Sequence, residues 1–467
     1  MSDAQNAPEE EAGPPFPPFG HVDAVPIDPT VGVYDVVFGP LYPTEYTGWK
    51  DEVLSWKKTA YLHGGLNPTD TYRIWGPDAV KLLREHCVNS FERFPVGASK
   101  HAIMCDKEGR VVVHGMLVRR AEDEFIAYWL GPWIDFLVER GGYDVQGENL
   151  TGQVYLFQLA GPRSLEILEA ATGRDLHDVR FLQERRSSIG GSEVEVSIPT
   201  DVLRIGMAGT LAYELHGPIK DAHAVYNALL EAGEPFGLRR LGRAQYNMNH
   251  TENGFPQEHI HFIHPWLENP ELVQYFIDNY GMSLPPVGLY GSAGDDASLR
   301  YRTPYDLGWG HLVSYDHDFL GREALEKVSA APPRTMRTLV WNGDDVLDIY
   351  RSHFEEGEEY QFMRFEGEPV NRELPAPSFS DAVLKDGEIV GYSSGRIYSY
   401  YYRKMISLVS IDVALADIGT EVVVLWGLPG TRQKEIRATI ERFPLYNENR
   451  NETFDTSTIP RAAGLVP

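Results

Sequence analysis

The sequence predicts an α+β chain in which one strand-helix unit occurs twice and a small antiparallel barrel follows. Three observations carry that prediction. Four β-rich runs end in Gly-Pro and continue with helical periodicity: "YRIWGPDAVKLL", "FIAYWLGPWIDFLVERGG", "YLFQLAGPRSLEILEAATG" and "YELHGPIKDAHAVYNALLEAG". Their prolines, Pro77, Pro132, Pro162 and Pro218, are offset by 85 residues from first to third and 86 from second to fourth, as a duplicated unit requires. After "AAPPRTMRTLVWNG" the texture turns to short β-rich runs broken by Gly, Asp and Pro.

Residues 1–30 begin "MSDAQNAPEEEAGPPFPPFG", acidic and Pro-rich, with neither the basic stretch nor the apolar run of a signal peptide. They predict a loose arm, with Phe16 and Phe19 as candidate contacts between copies. Residues 31–145 form the first α+β unit, to which segment 245–330 belongs, and residues 146–244 the second. In both units Gly permits a tight exit from the strand, while Pro in the first helical turn loses no hydrogen bond and presets φ. In "DHDFLGREALEKV", Asp318 is placed to cap a helix carrying Leu320, Ala324 and Leu325 on one face, with Glu323 and Lys327 paired across one turn. The runs "GEIVGYSSGRIYSYYYRKMISLVSIDV" and "TEVVVLWG" place the barrel at 335–440. Residues 441–467, ending "NENRNETFDTSTIPRAAGLVP", read as a polar surface tail.

Composition narrows the function. With 42 Lys and Arg against 68 Asp and Glu, the net charge of −26 repels phosphate backbones and anionic membranes, so neither nucleic acid nor membrane is an expected partner. No run approaches the ~18 apolar residues of a spanning helix. Two cysteines, Cys87 and Cys105, give no disulfide framework and point to a reducing cytoplasm. Monomer and homo-oligomer both stay open.

The loop "QEHIHFIH" gathers His259, His261 and His264 beside Glu258, with His250 nearby, but it follows no metal-binding spacing and prolines bracket it, so no metal is expected. Phosphate-cradling loops and nucleophile elbows are absent. Trp129, Tyr213, Tyr246, Phe255 and Trp266 fall where strand-to-helix turns open, which suits a pocket for a flat ligand.

"PYDLGWGHLVSYDHDFLGREAL" resembles a hallmark of the glycine-cleavage T-protein (aminomethyltransferase) superfamily. "GMAGTLAYELHGP" and "LGRAQYNMNHTENGF" resemble its pterin-binding strand and the helix that follows. "EAGEPFGLRRLG", "LVWNGDDVLDIY" and "MISLVSIDVALADIGTEVVVLWG" are most similar to its tetrahydrofolate-dependent aromatic O-demethylases of the vanillate and syringate type. The superfamily also holds a demethylenase of methylenedioxyphenyl lignans of the sesamin kind. The resemblance spans roughly residues 30–430 and implies a three-domain cloverleaf, two duplicated α+β domains plus a C-terminal β-barrel, around a central folate site.

What the resemblance implies for the site can be stated residue by residue. Glu214 corresponds to the pterin-binding carboxylate, with Tyr213, Gln158, Asn249 and Glu252 on folate-facing segments. The aspartate that T-proteins use for aminomethyl transfer is replaced by His114 and Gly115 in "EGRVVVHGM", and Tyr246 stands where the demethylases also carry tyrosine. The demethylases' carboxylate-gripping arginine aligns with Leu130, and their Gln and His align near Gly65 and Pro68. A benzoate would then bury its charge unpaired at several kcal/mol, so a neutral aryl ether is expected.

The expected catalytic set is Tyr246, His63 and His114, with Tyr246 as proton donor because an ordinary phenol pKa of ~10 matches a phenol leaving group. Trp129, Leu130, Phe255, Asn67 and His261 are expected around the substrate. Aminomethyl transfer, folate binding without transfer, and a metalloenzyme built on the histidine loop are the alternatives.

Overall fold

A computed structural model describes residues 23–36, 41–190, 197–280, 287–368, 377–462 and 465. Phe16 and Phe19 lie outside the described residues.

Among the described residues, two large sheets and a barrel form the body, and Tyr34–Val36 pairs with Leu41–Pro43 as a short ribbon. The outer sheet runs Ser99–Cys105, Val111–Ala121, Glu124–Tyr128, Thr71–Trp75, Gln146–Asn149. The central sheet runs Glu184–Ile189, Ile198–Leu203, Ala212–Pro218, Val154–Ala160, Ala60–His63, Leu238–Arg240, its last pair parallel. The Gly-Pro exits occupy equivalent places. Thr71–Trp75 and Val154–Ala160 lead into helices Ala79–His86 and Ser164–Thr172; Glu124–Tyr128 and Ala212–Pro218 precede Trp133–Arg140 and Ala222–Gly233. Gly76 and Gly161 share the same left-handed conformation, φ 133° and 138°. A Cβ on either would strike the backbone of Asp144 or Thr59, so only glycine fits.

The division at residue 145 does not coincide with the sheets. Gln146–Asn149 pairs with Thr71–Trp75, and Ala60–His63 crosses to pair with Val154–Ala160. The two units are therefore tied by strand exchange, not by a linker.

Alternation along the central strands produces two faces. Phe157, Leu159, Tyr213 and Leu215 point to one side, joining Leu165, Leu168, Val225 and Leu229 of the covering helices. Tyr61, Leu156, Ala160, Leu203 and Ala212 point to the other, where they meet Tyr128 of the outer sheet, Ile397 and Ile406 of the barrel, and Tyr246 and Met248. This second face is the centre of the molecule. The last two side chains belong to helix Arg243–Asn253, the site helix, almost wholly buried because sheets and barrel all pack on it.

Six antiparallel strands between Arg334 and Glu441 close the barrel through pairing of Val383 and Leu384 with Val424 and Val423. Three expectations need correction. The tail does not lie loosely on the surface: Tyr446 is buried and donates from its backbone to the Glu252 carbonyl at 2.9 Å, and Asn451 donates to Ala212 O at 3.2 Å. Helix Arg322–Ala330 is capped by Gly321, φ 88°, not by Asp318, which instead pairs with Arg322 at 2.9 Å. Among the described residues Glu323 and Lys327 form no ion pair; Arg322 and Glu326 do, at 2.8 Å.

Candidate functional site

The strand register lines up three polar side chains on the inner face. Glu214 sits opposite Gln158, and Gln158 opposite His63, on adjacent strands. Side chains directly opposite stand about 4.5–5.5 Å apart at Cβ, so the row is a continuous polar strip in an apolar centre. Gln158 Nε2 donates to Glu214 Oε1 at 3.4 Å, and its oxygen accepts from the Tyr61 hydroxyl, which accepts from Asn249 Nδ2 at 3.2 Å. His216 Nε2 lies 3.4 Å from the other Glu214 oxygen. Both contacts to the Glu214 carboxylate are long, and Asn249 Oδ1 is buried without a partner among the described residues. The strip thus keeps acceptor capacity for a planar ligand edge rich in N–H groups.

Tyr246 closes the strip from the site helix. Its ring stacks on His63 at 4.1 Å and 6°, and His250, one turn on, meets it edge-on at 4.7 Å. His63 Nδ1 is 2.9 Å from Leu241 O, and His250 Nδ1 is 2.9 Å from Tyr246 O. A carbonyl only accepts, so both imidazoles carry their proton on Nδ1 and leave Nε2 as a bare acceptor. Burial pushes His63 down to about 3 and His250 to about 4, so both are neutral. Burial, and then the charge of Glu214, hold the Tyr246 phenol above its ordinary range. The match to a phenol leaving group at ordinary pKa therefore fails, and the Tyr246 hydroxyl holds its proton. Among the described residues its hydroxyl has one partner, the weakly accepting Met207 sulfur at 4.0 Å.

His114 stands apart from that row. From the outer sheet it joins an aromatic box with His101 (Nε2 to Nδ1, 3.3 Å), Trp309 (4.7 Å), Phe262 (5.7 Å) and Phe255 (6.0 Å). Burial and the neighbouring histidines keep its imidazole neutral. Phe255 links box to helix, 6.1 Å from His250. Trp129, with φ 61°, packs on the inner cluster, as Met116, Ile205 and Met207 do.

The structure withdraws five residues from the expected site. Tyr213 follows the strand alternation to the opposite face and joins the helix-side core. Leu130 is fully buried in the outer-sheet core. Asn67 spends its amide on backbone, donating to Gly64 O and Leu156 O, both at 2.8 Å, and accepting from Leu156 N at 2.9 Å. His261 accepts from Gln257 N at 3.0 Å and bonds the Thr251 hydroxyl at 3.0 Å, which donates to Gly395 O at 2.7 Å. Glu252 is sequestered by Lys57, Trp56 Nε1 at 3.1 Å and Ser399 Oγ at 2.5 Å. Lys57 itself lies against the rings of Trp56, Tyr446 and Tyr401, 4.1, 5.1 and 5.3 Å away. That pair joins helix, barrel and tail, and offers nothing to a ligand.

Tyr61, His216, Met207 and Arg243 are not among the residues expected here from sequence, and His250 is expected with the histidine loop and not beside Tyr246. Period two along the strands would have found Tyr61 from His63 and His216 from Glu214; the i, i+4 step would have found His250 from Tyr246. Arg243 lies one turn before Tyr246, and its charge helps to keep His63 and His250 neutral. It also lines a hollow shared with Glu45, Asn247, Arg364 and Arg396, on the barrel side of the helix. Among the described residues no histidine of the 259–264 loop joins a convergent group of three metal-ligating side chains. The group that does converge, Glu169, Asp175 and His177, is already bonded within itself and to Arg461 and Ile459 O.

The GCVT N-terminal domain family matches residues 37–260. The chain is 43% identical to sesamin methylene transferase of Sinomonas sp. over 90% of its length and 94% of that protein. It is 33% identical to syringate O-demethylase of Sphingobium sp., covering 87% and 90% of the two chains. Identity to an aminomethyltransferase of Symbiobacterium thermophilum is 25%, over 86% and 91%. The glycine cleavage system aminomethyltransferase T of Bartonella henselae shares the fold, with TM-score 0.63 at 18% identity over 90% and 95%.

Proposed function

The chain belongs to the glycine-cleavage T-protein superfamily, and from that premise we propose that it is a tetrahydrofolate-dependent one-carbon transferase that takes a methylene or methyl group from a neutral aryl ether. The observation that carries the reading is the Glu214–Gln158–His63 row with Tyr246 closing it. The residues present fit the cofactor. The under-used Glu214 carboxylate and the orphaned Asn249 oxygen are acceptors for the N–H-rich edge of a pterin, and Gln158 and Tyr61 hold them in place. Bound tetrahydrofolate supplies the nitrogen nucleophile that receives the one-carbon unit.

The rest of the work falls to this chain. Aryl ethers resist cleavage because the phenolate leaves poorly, so stabilising the oxygen as charge grows on it lowers the barrier. Tyr246 donates a hydrogen bond to that oxygen, and His63, stacked on its ring, fixes its orientation. Trp129, Phe255 and His114 supply aromatic and neutral polar walls. Two neutral imidazoles beside Tyr246 offer no charge to a benzoate, which favours an uncharged ring.

The methylenedioxyphenyl class, of which sesamin is the example, is the leading substrate because that relative matches at 43%. A methoxyphenol is the second reading, favoured by the 33% match to a demethylase. Buried, free Cys87 and Cys105 support a reducing cytoplasm as its setting. Anaerobic incubation with one methylenedioxybenzene and one methoxyphenol, each with and without tetrahydrofolate, tests the proposal. Folate-dependent release of catechol or phenol supports it; release that ignores folate, or none, removes it.

A further inference from the structure

We propose that Met207 is a specificity-determining gate whose sulfur holds the position the substrate's ether oxygen takes on Tyr246. The inference rests on the aryl-ether reading above. Tyr246 is 0% exposed, yet its hydroxyl, a strong donor, reaches only a thioether among the described residues. A buried O–H normally finds a better acceptor than sulfur, and leaving one under-satisfied costs free energy. An aryl ether oxygen meets that need. Met207 is thus a stand-in acceptor, exchanged for the substrate's oxygen on binding.

The loop's construction supports the exchange. Residues 204–211 join two adjacent central strands, and Ile205, Gly206 and Met207 are the part-exposed ones, whereas Ala208, Gly209 and Thr210 are buried. Arg204 anchors one end, bonding Asn451 O at 2.9 Å and Phe454 O at 2.8 Å. Gly209, φ 63°, sits in the left-handed region at the other. Methionine is long, unbranched and polarizable, so it can vacate the site through its own torsions without moving the loop's base. Met207 is part-exposed and packs, as Trp129 and Ile205 do, against the inner cluster.

Two variants separate the roles of size and sulfur. Met207→Ala removes the cover, and Met207→Leu keeps the volume but not the acceptor. The first readout needs no turnover: nitration of Tyr246 by tetranitromethane, followed by peptide mass, in the full chain without folate. Tyr246 should resist in the parent protein and react at least several-fold faster in Met207→Ala. The second is the dissociation constant of a methylenedioxybenzene, also without folate. It should tighten several-fold in both variants, more in Met207→Ala. Equal nitration and equal affinity in all three proteins overturn the gate while leaving the transferase reading in place. Absence of aryl-ether binding in every protein overturns that reading, and the gate with it.

Discussion

The Tyr246 ring lies parallel to the His63 imidazole, centroids 4.1 Å apart and planes 6° from alignment. One residue comes from a central strand and the other from the site helix, so the stack joins two elements far apart in sequence at the point where the Glu214 row ends. Replacing Tyr246 by Phe keeps the stack and removes the hydroxyl. Turnover should fall by about 100-fold or more, the usual range for a lost proton or hydrogen-bond donor, with folate affinity unchanged. Unaltered turnover contradicts the assigned role.

Glu214→Gln keeps the shape of the row and removes its charge. Hydrogen bonds to a charged acceptor contribute about 1.5–3 kcal/mol, so tetrahydrofolate affinity measured by calorimetry should weaken by roughly 10- to 100-fold. An equal loss from Tyr213→Phe would show that the opposite face also takes part, against the placement found here.

Glu252 is assigned to the architecture, and that assignment can be separated from cofactor binding. Glu252→Gln strands the Lys57 ammonium in a cage of rings, and removing one partner of a buried pair costs about 3–5 kcal/mol. Thermal unfolding should shift down by many degrees, while folate affinity of the folded fraction at low temperature stays the same. A loss of folate affinity without a loss of stability would restore Glu252 to the site.

Acid should destabilise the fold before ordinary carboxylates titrate. Burial depresses His63 and His261 to about 3, and His101 and His250 to about 4, from 6.5. Between 6.5 and those values the unfolded chain binds protons that the folded chain refuses, so stability falls as pH drops through this window. Asp70 and Asp381, raised by burial to about 7, oppose the trend because they are protonated in the fold, and Glu52, Asp106, Glu169 and Glu184 do so through smaller shifts. The large shifts nevertheless fall on six histidines, His86 and His114 included, against two aspartates. Denaturant midpoints should decrease steadily from pH 6.5 to 4.5. A flat or rising midpoint contradicts neutral, buried imidazoles at the site.

Much of the architecture is written in local chemistry. The four Gly-Pro exits declare the duplication because two of them need the same left-handed glycine, and the change of texture after Pro332 and Pro333 announces the barrel. Crossing of Ala60–His63 into the other sheet is a non-local pairing that no window of sequence contains. The site divides the same way. Glu214, Gln158, Asn249, His63 and Tyr246 lie together on the inner face, whereas Asn67, His261 and Glu252 are bonded elsewhere. A polar residue facing a ligand and one bonded to backbone or to a buried lysine look alike in sequence; only the partner tells them apart. Tyr213 and Leu130 failed for a simpler reason, since each is one step of a strand or turn away from the face that matters.

The most direct test of the account is to follow carbon itself. A methylenedioxybenzene labelled with ¹³C at the methylene bridge would be incubated anaerobically with the protein and tetrahydrofolate, and the folate pool read by mass spectrometry. The account predicts that the label enters the folate in step with catechol release, and that Tyr246→Phe slows both together. Catechol formed while the label appears as free formaldehyde, or label retained on the ring beside intact folate binding, would contradict it.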